Sequence, residues 1–320
     1  MTTGHARNIF LITIIPISIF CIETCQKRNN PIDSTGPLKW TQRESGTSGD
    51  LLDVTWNGTR FVAVGWDEIL TSENGIDWVQ AQLPADYPSG AGTPLRSVAW
   101  SGSLNLFLVV GGINVVMTSS DGISWIMQES GFDWGFIEGA ASFDTLFLIS
   151  YFNPVYFLTS PDGSEWTNHQ GIGPFDDMAS SDTLLIGVGN RCIYATTNGV
   201  DWTQRLCGDS RIHCVVWYGE ASAWVAAGHL GIFLTSIDGI TWTSFDAGAG
   251  EISTLFDAIS IGERCIVVGS ANGPGLILES KDTKVWSKQI IDSTSWLRGI
   301  AASPNRFVVV GYSGVILTSP

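Results

Sequence analysis

Seven tryptophans divide most of this chain into intervals of similar length, and this periodicity constrains the fold more than any other feature. Successive members are 36 to 47 residues apart, with a mean of 41. They are Trp40, Trp78, Trp125, Trp166, Trp202, Trp242 and Trp286. Self-similarity at a period near 40 residues is typical of solenoids and propellers, in which each repeat is one supersecondary unit. We therefore interpret the chain as an array of repeats.

Six of these tryptophans end a short motif, Ser/Thr-x-Asp/Asn-Gly-x-x-Trp, as in the segment 119–125. Its acidic or amide positions are Asn74, Asp121, Asp162, Asn198, Asp238 and Asp282. In the last motif Thr283 replaces the glycine. Asp-Gly and Asn-Gly between apolar runs favour tight hairpin turns because both positions tolerate positive φ. We predict a structural role, in which these side chains bond turn amides and the tryptophan packs on a neighbouring strand.

Apolar runs with strand character precede each motif in a constant order. In one unit they are residues 97–100, 107–111 and 115–118, and no helical periodicity follows residue 25. Four strands in about 41 residues, seven times over, predict an all-β, seven-bladed β-propeller of four-stranded antiparallel blades over residues 37–320. The last unit lacks its tryptophan and Trp40 lacks preceding strands. The N-terminal strand is therefore predicted to close the last blade, which removes free sheet edges.

The repeated Ser-x-Asp-Gly-x-x-Trp motif resembles the Asp-box, or BNR repeat, of sialidase-like propellers. It has one residue fewer between Asp and Gly than the familiar box. Seven repeats are similar to the Ycf48/HCF136-like photosystem assembly propellers and to single domains of xyloglucanases. The resemblance covers about 280 residues and implies a propeller. Because Asp-box propellers include both enzymes and binding proteins, it does not imply one activity.

The N-terminus has the features of a targeting segment. His5 and Arg7 precede a 14-residue apolar run, 9–22, which is short for a membrane-spanning helix. Residues 1–25 are predicted to be a signal peptide and 26–36 a linker. The sequence 22–25 resembles a degenerate lipobox, so Cys25 is a candidate for lipidation, with ordinary cleavage or an uncleaved anchor as alternatives. Each alternative predicts an extracytoplasmic protein that is secreted, periplasmic or held at the cell envelope.

Four cysteines remain beyond this segment: Cys192, Cys207, Cys214 and Cys265. An even number suits an oxidising compartment. Cys207 and Cys214 flank a short segment and are a candidate pair, although the pairing is not determined by the sequence. His213 adjoins Cys214, but the paired C-x-x-C spacing of a zinc site is missing, so we expect no metal and no cofactor.

Charge restricts the classes of partner. The chain has 16 Lys and Arg against 31 Asp and Glu, a formal net charge of −15. Nucleic-acid binding needs a basic face, so this charge argues against it and favours cationic partners. At 44% hydrophobic and 15% charged residues, the chain is also unlike an intrinsically disordered one.

Candidate ligand-binding residues lie where the inner strands begin and in the loops between second and third strands. The first group comprises carboxylates and two arginines: Asp53, Arg96, Glu138, Asp177, Asp257 and Arg298. The second group adds aromatic and polar side chains: Trp66, Asp67, Tyr151, His229 and Tyr312. Both sets are predicted to surround one mouth of the central channel, where aromatic and polar groups could hold a sugar or a peptide.

Two functions follow from this arrangement, and a third possibility is a purely structural module of the envelope, which would have no concave pocket. The first is non-catalytic binding of a protein or glycan partner by a monomeric propeller, with no catalytic residues. The alternative is a glycoside hydrolase of the sialidase-like or xyloglucanase-like group, in which paired carboxylates act as acid and base. Hydrolase features are few, because the chain lacks a sialidase-like arginine entry motif, and Walker, HExxH, G-x-S-x-G and dinucleotide motifs are missing. The sequence therefore favours binding.

Overall fold

A computed structural model describes residues 36–88, 94–132, 135–153, 155–170, 172–291 and 295–320. The predicted signal peptide, Cys25 and nearly all of the predicted linker lie outside these residues. Along the described ranges, no helix is long and apolar enough to cross a membrane.

Within these ranges the chain forms seven four-stranded antiparallel sheets, which confirms the predicted all-β propeller. The innermost strands are β2 Leu51–Trp56, β6 Leu95–Ser101, β10 Phe136–Phe143, β14 Asp177–Ser180, β18 Ile212–Tyr218, β22 Ser253–Ile261 and β26 Leu297–Ser303. The second strands are β3 Phe61–Gly65, β7 Leu106–Gly111, β11 Leu146–Asn153, β15 Leu185–Gly189, β19 Ala223–Gly228, β23 Arg264–Ala271 and β27 Arg306–Gly311.

The outer half of each blade is built in the same order. The third strands are β4 Glu68–Ser72, β8 Val115–Ser119, β12 Tyr156–Ser160, β16 Cys192–Thr196, β20 Phe233–Ser236, β24 Gly275–Ser280 and β28 Ile316–Ser319. The fourth strands are β5 Val79–Gln80, β9 Ile126–Met127, β13 Thr167–Gln170, β17 Thr203–Cys207, β21 Thr243–Ser244, β25 Trp286–Ile291 and β1 Thr41–Arg43. One 3-10 turn, Tyr312–Gly314, joins β27 to β28.

The N-terminal strand closes the ring, as predicted. Strand β1 pairs antiparallel with β28, so that Thr41 faces Thr318 and Arg43 faces Ile316. The Arg43 Nε also donates a hydrogen bond to Thr318 Oγ1 at 2.8 Å. Since the first and last strands of the propeller share one sheet, the last blade has no open outer edge at β28.

Apolar side chains between neighbouring sheets hold the blades together. At the junction of the last and first blades, Phe61, Ala63 and Leu70 pack in one buried cluster with Val308 and Val310. These positions come from the apolar second and third strands, which are covered on both faces. Runs such as Phe-Val-Ala-Val-Gly are therefore continuous rather than alternating in hydrophobicity.

The repeated motif forms a turn between the third and fourth strands. In the third blade the Gly163 amide donates to Ser160 Oγ at 2.8 Å, and the Ser164 and Glu165 amides donate to Asp162 Oδ1 at 2.8 and 3.0 Å. The glycines have positive φ, and Thr283 adopts the same conformation at φ 62° in the divergent motif. The side chains therefore satisfy turn amides, as the sequence predicts.

Removing the carboxylate from one such turn should destabilise its blade modestly. Asp162→Ala leaves two exposed amides to water, and we expect a loss of about 1 kcal/mol in the free energy of unfolding, as for the loss of a capping side chain. Urea titration measures this loss. Asp182→Ala, at an exposed position in a different turn, is the matched control and should change stability by less than about 0.5 kcal/mol. Equal losses would contradict a role for the carboxylate in the turn.

The disulfide differs from the candidate pair in the sequence. Cys207 is bonded to Cys192, whereas Cys214 and Cys265 are buried free thiols. Cys192 and Cys207 face each other across β16 and β17, while Cys214 lies on β18 of the next blade. The candidate Cys207–Cys214 pairing is therefore wrong. The two residues are close in sequence, but they lie in different blades.

Candidate functional site

A β-bulge at the start of each inner strand decides which side chains reach the central channel. In β2 the register shifts between Leu51 and Asp53, so Leu52 is the extra residue. The same shift occurs in β6, β10, β18, β22 and β26. In the fourth blade Val188 is the ladder partner of Asp177, and its carbonyl oxygen also accepts a hydrogen bond from the amide of Asp176. Two residues therefore oppose one there, as in the other blades. Along the described chain, the bulged residues are Leu52, Arg96, Glu138, Asp176, His213, Phe256 and Arg298. A bulge turns its extra residue away from the ladder.

A glycine on the second strand makes room for each of these bends in most blades. At Gly111 a Cβ atom would lie 2.2 Å from the carbonyl oxygen of Pro94, immediately before β6. At Gly311 it would lie 2.2 Å from Trp296 O. The third blade has Tyr151 at this position, facing Ile137. The glycine that ends these second strands is therefore required, because the neighbouring backbone beside the channel leaves no room for a Cβ atom.

The bulged residues line a cavity of about 420 Å³ at one mouth of the channel. Its walls also contain Asp53, Ser97, Asp177, Arg211, Asp257 and Tyr312. Seven of the predicted binding residues meet here: Asp53, Arg96, Glu138, Asp177, Asp257, Arg298 and Tyr312. The cavity is therefore polar, with an aromatic side, and it combines charges of both signs.

Three of the aspartates join neighbouring blades. The Val54 amide donates to Asp53 Oδ1 at 2.7 Å, and the Val98 amide of the next blade donates to Oδ2 at 2.8 Å. Asp177 and Asp257 repeat this geometry, with Val215 and Ile300 as the donors from the next blade. We call these three residues the blade clasps. Their carboxylates are committed to backbone amides, which is a structural function.

Burial sets the protonation of the blade clasps. Removal from water raises the pKa of Asp53 from 3.8 to about 6 and that of Asp177 to about 7. Hydrogen bonds from backbone amides act against this rise. Burial, reinforced by the charges of Asp53 and Asp177, also raises the pKa of Asp257. The three carboxyls therefore titrate in a higher pH range than surface aspartates.

Two ion-pair groups neutralise most of the other charges in the cavity. Arg211 donates to both carboxylate oxygens of Asp176 at 2.7 Å, and His213 Nδ1 lies 2.8 Å from Asp176 Oδ2. Although burial by itself raises the pKa of Asp176, the bonds from His213 and Arg211 hold it below its usual value. Arg96 pairs with Glu138 at 3.2 Å. These contacts fix five polar side chains in the walls.

Arg298 lies in a different environment, against aromatic rings. Its guanidinium carbon is 4.0 Å from the centre of the Phe256 ring and 5.8 Å from that of Tyr312. Trp296 stacks between Phe256 and Tyr312, with ring centres 5.6 and 5.5 Å away. Cation–π contact and stacking hold the guanidinium at the cavity wall. We call Phe256, Trp296, Tyr312 and Arg298 the aromatic corner.

The remaining predicted residues occupy other positions. Trp66 is 46% exposed on the mouth face, where it bridges to Pro94. His229 is exposed beside the start of β22, with Nδ1 3.1 Å from Thr254 Oγ1. Asp67 accepts a hydrogen bond from the Tyr87 hydroxyl at 3.0 Å.

Tyr151 is fully buried rather than placed at the rim. Its hydroxyl donates to Asn114 Oδ1, and burial raises its pKa to about 12. Tyr151 therefore supports the wall from behind, in a blade where it replaces the usual glycine.

Apolar side chains surround the polar cavity on the same face. They come from loops between second and third strands and from the start of inner strands, which β-bridges such as Ile113–Phe136 bring together. The exposed members are Trp66, Ile113, Phe136, Phe152, Leu230 and Trp296, which we call the mouth rim. Exposed apolar groups around a polar pocket are typical of an interaction surface.

Six lining residues were not among the predicted ligand contacts: Leu52, Ser97, Asp176, Arg211, His213 and Phe256. Four of them are bulged residues, each the first of the two residues that open its inner strand: Leu52, Asp176, His213 and Phe256. A consistent choice of that first position in all seven repeats would have found them. Arg211 lies in a crossing loop, and no repeat signal marks it. In the part of the chain that the structure describes, no group of three or more His, Cys, Asp or Glu could hold a metal ion.

Comparisons with known proteins support the fold and leave the family open. Neither a protein-family model nor a curated protein matches this sequence. Among solved structures, the chain is similar to Ycf48 bound to D1 peptide, at 17% identity and a TM-score of 0.69, covering 89% of this chain and 95% of that one.

Two further structures show the same architecture. A catalytically inactive variant of virginiamycin B lyase from Staphylococcus aureus with quinupristin matches at 10% identity and a TM-score of 0.75, covering 88% of this chain and 99% of that one. The WD40 propeller domain of Doa1 matches at 11% identity and a TM-score of 0.68, covering 89% and 97%. At these identities the likeness establishes a propeller and no activity.

Proposed function

We propose that this protein binds a peptide segment of a partner protein at the mouth of its channel, without turning it over. The observation that carries the proposal is the convergence on one face of a charged cavity, an aromatic corner and an apolar mouth rim. Aromatic anchors beside fixed polar groups are the usual composition of the energetic centre of a protein–protein interface. The solved complex of Ycf48 with D1 peptide is an example of a peptide-binding propeller.

The carboxylates favour binding over hydrolysis. Glycosidases need one carboxyl that is free to protonate the leaving group and another that acts on water or on the sugar. Here Asp53, Asp177 and Asp257 accept bonds from backbone amides, and Glu138 and Asp176 pair with arginines. A raised pKa such as that of Asp177 is typical of a general acid, but burial at a blade junction accounts for it here.

We further propose an extracytoplasmic location. The apolar run 9–22 is typical of a secretory signal, and the Cys192–Cys207 disulfide is of a kind that persists in oxidising compartments. Lipidation at Cys25 remains part of this proposal.

Panning a phage-displayed library of random 12-residue peptides on the purified protein tests the proposed function. Enriched peptides, resynthesised with a fluorophore, should bind the native protein and lose at least about 30-fold in affinity against the Trp66→Ala/Trp296→Ala variant. A 30-fold loss corresponds to about 2 kcal/mol of binding free energy, which is the usual threshold for an interface hot spot. Val285→Ala is the matched control, since Val285 is exposed in the turn between β24 and β25, on the opposite face.

Three outcomes contradict the proposal. They are failure to enrich any peptide, equal binding to the double variant, and binding on a glycan array in place of peptide binding. Release of reducing sugar by the native protein that Asp177→Asn abolishes would support the hydrolase alternative instead.

A further inference from the structure

We propose that Arg298 is the receptor for one carboxylate group of the bound peptide. This inference rests on the proposed function, which it deepens by naming the chemistry that the partner must present. Three features support it: the charge balance of the cavity, the placement of the guanidinium against aromatic rings, and the net charge of the whole chain.

The charge balance singles out Arg298 among the cationic side chains of the cavity. Arg211 is bound to Asp176, which also contacts His213 Nδ1, and Arg96 is bound to Glu138. Among the residues that the structure describes, Arg298 has neither an ion pair nor a side-chain hydrogen bond, and its Nε is buried without a partner. Burial lowers the pKa of Arg298, and nearby charges, those of Asp176 and Asp53 among them, offset this only in part, so a further anion would stabilise the guanidinium.

The aromatic corner holds this guanidinium ready for a ligand. The β26 bulge points the side chain into the channel, and the Phe256 ring lies 4.0 Å from its guanidinium carbon. Contact with an aromatic face leaves the edge of a guanidinium available for hydrogen bonds in its plane. A planar carboxylate can accept two parallel N–H bonds from that edge. Since the group is already placed, little conformational entropy is lost on binding.

The net charge of the chain argues for a single carboxylate rather than an acidic segment. The chain has 16 Lys and Arg against 31 Asp and Glu, a formal net charge of −15. A peptide with several acidic groups would be repelled over about 10 Å at ordinary ionic strength. We therefore infer a neutral or basic segment that carries one carboxylate for Arg298.

Two sources can supply that group: the C-terminus of a peptide, or an internal Asp or Glu. Peptides enriched from both N-terminally and C-terminally anchored libraries distinguish them. Each peptide is resynthesised with a free or an amidated C-terminus, and with Asp and Glu or with Asn and Gln. Fluorescence anisotropy then gives its affinity for the native protein, Arg298→Lys and Arg298→Gln. Arg60→Gln is the matched control, because Arg60 pairs with Glu73 at the turn on the opposite face.

We expect removal of one carboxylate, from whichever source, to weaken binding about 10- to 100-fold, the range of a charge-assisted hydrogen-bonded contact. Arg298→Gln should give a similar loss with the native peptide and almost none with the peptide that lacks its carboxylate. Arg298→Lys should restore part of the affinity, since it keeps the charge without the planar fork. Arg60→Gln should have no effect, and thermal melts should show that the variants are folded.

The failures of the two proposals are distinguishable. If enriched peptides bind through the mouth rim but keep their affinity after every carboxylate is removed, the role of Arg298 is wrong and peptide binding stands. The same holds if Arg298→Gln weakens carboxylate-bearing and carboxylate-free peptides equally. If no peptide is enriched, peptide binding itself is wrong, and the carboxylate inference fails with it.

Discussion

The free energy of unfolding should fall by several kcal/mol when the pH rises from 4 to 8, because the blade clasps bind protons more tightly in the folded state. Asp53 has a pKa of about 6 and Asp177 of about 7 when folded, against 3.8 for an ordinary aspartate. A raised pKa means that the stabilisation is complete below pH 3.8 and is lost as the pH rises through 6 to 7. Asp257 acts in the same direction.

The opposite dependence should hold below pH 4. Hydrogen bonds from the Glu165 and Ser164 amides lower the pKa of Asp162 to about 2, and those from its own turn lower that of Asp238. Groups with lowered pKa stabilise the fold above pH 3.8, and this contribution is lost as the pH falls through their folded values. Stability is therefore expected to be highest at pH 4 to 5.

Urea unfolding at intervals between pH 4 and 8 measures this profile. Asp177→Asn should make the fall in stability with pH less steep, since the amide cannot ionise. At pH 4 the variant should be less stable than the native protein, because asparagine replaces one acceptor oxygen with a donor. Asp182→Asn, at an exposed loop position, should leave the slope unchanged. Stability that rises steadily to pH 8, or an equal slope in Asp177→Asn, would contradict the account of the clasps.

Loss of the closing strand should have the largest effect on the fold. A chain that begins at Glu44 lacks β1 together with Leu38, which is 4% exposed in the core of the last blade, and Trp40, which packs on Phe307. Loss of a buried leucine alone costs about 2–5 kcal/mol, and the total stability of a domain is about 5–15 kcal/mol. We expect this chain to aggregate or to melt tens of degrees lower, with the edge of β28 exposed.

A chain that begins at Gly36 is the matched control, because it retains the strand and both side chains. Size-exclusion chromatography and thermal unfolding compare the two. A synthetic peptide of residues 36–43 should bind to the shorter chain and restore part of its stability. If the chain that begins at Glu44 is monomeric and melts at the same temperature as the control, the closing strand is dispensable and our interpretation of the ring is incorrect.

The architecture was predictable because its determinants are local and repeated. The Asp-Gly turns and the tryptophans recur within each unit, so a spacing near 41 residues was enough to count the blades. Closure by Trp40 and its neighbours also followed, since the last unit lacked its fourth strand. These features need no knowledge of how distant residues meet.

The site was only partly predictable because one residue decides which side chain faces the channel. Each inner strand begins with a pair such as Leu52 and Asp53, and the bulge places the first member in the channel, whereas in three blades the second member is an aspartate that clasps the next blade. Periodicity does not reveal a single-residue bulge. The predicted set therefore mixed clasps such as Asp177 with true channel residues such as Arg298.

Contacts that depend on strand register and loop paths were beyond the sequence for a different reason. Arg211 reaches Asp176 of the neighbouring blade from a crossing loop of irregular length, and Cys192 meets Cys207 because β16 and β17 are in register. Trp296 stacks on Tyr312 of its own blade and on Phe256 of the preceding blade. Such pairs depend on the exact register and on loop paths, which one sequence without homologues does not define.

A crystal structure of the protein with one enriched peptide is the most direct measurement of the central claim, that the channel mouth is the binding site. We expect the peptide to lie across the mouth rim, with a carboxylate about 3 Å from the Arg298 nitrogens. A peptide bound along the outer strands, or at the turns on the opposite face, with the cavity filled only by water, would contradict it.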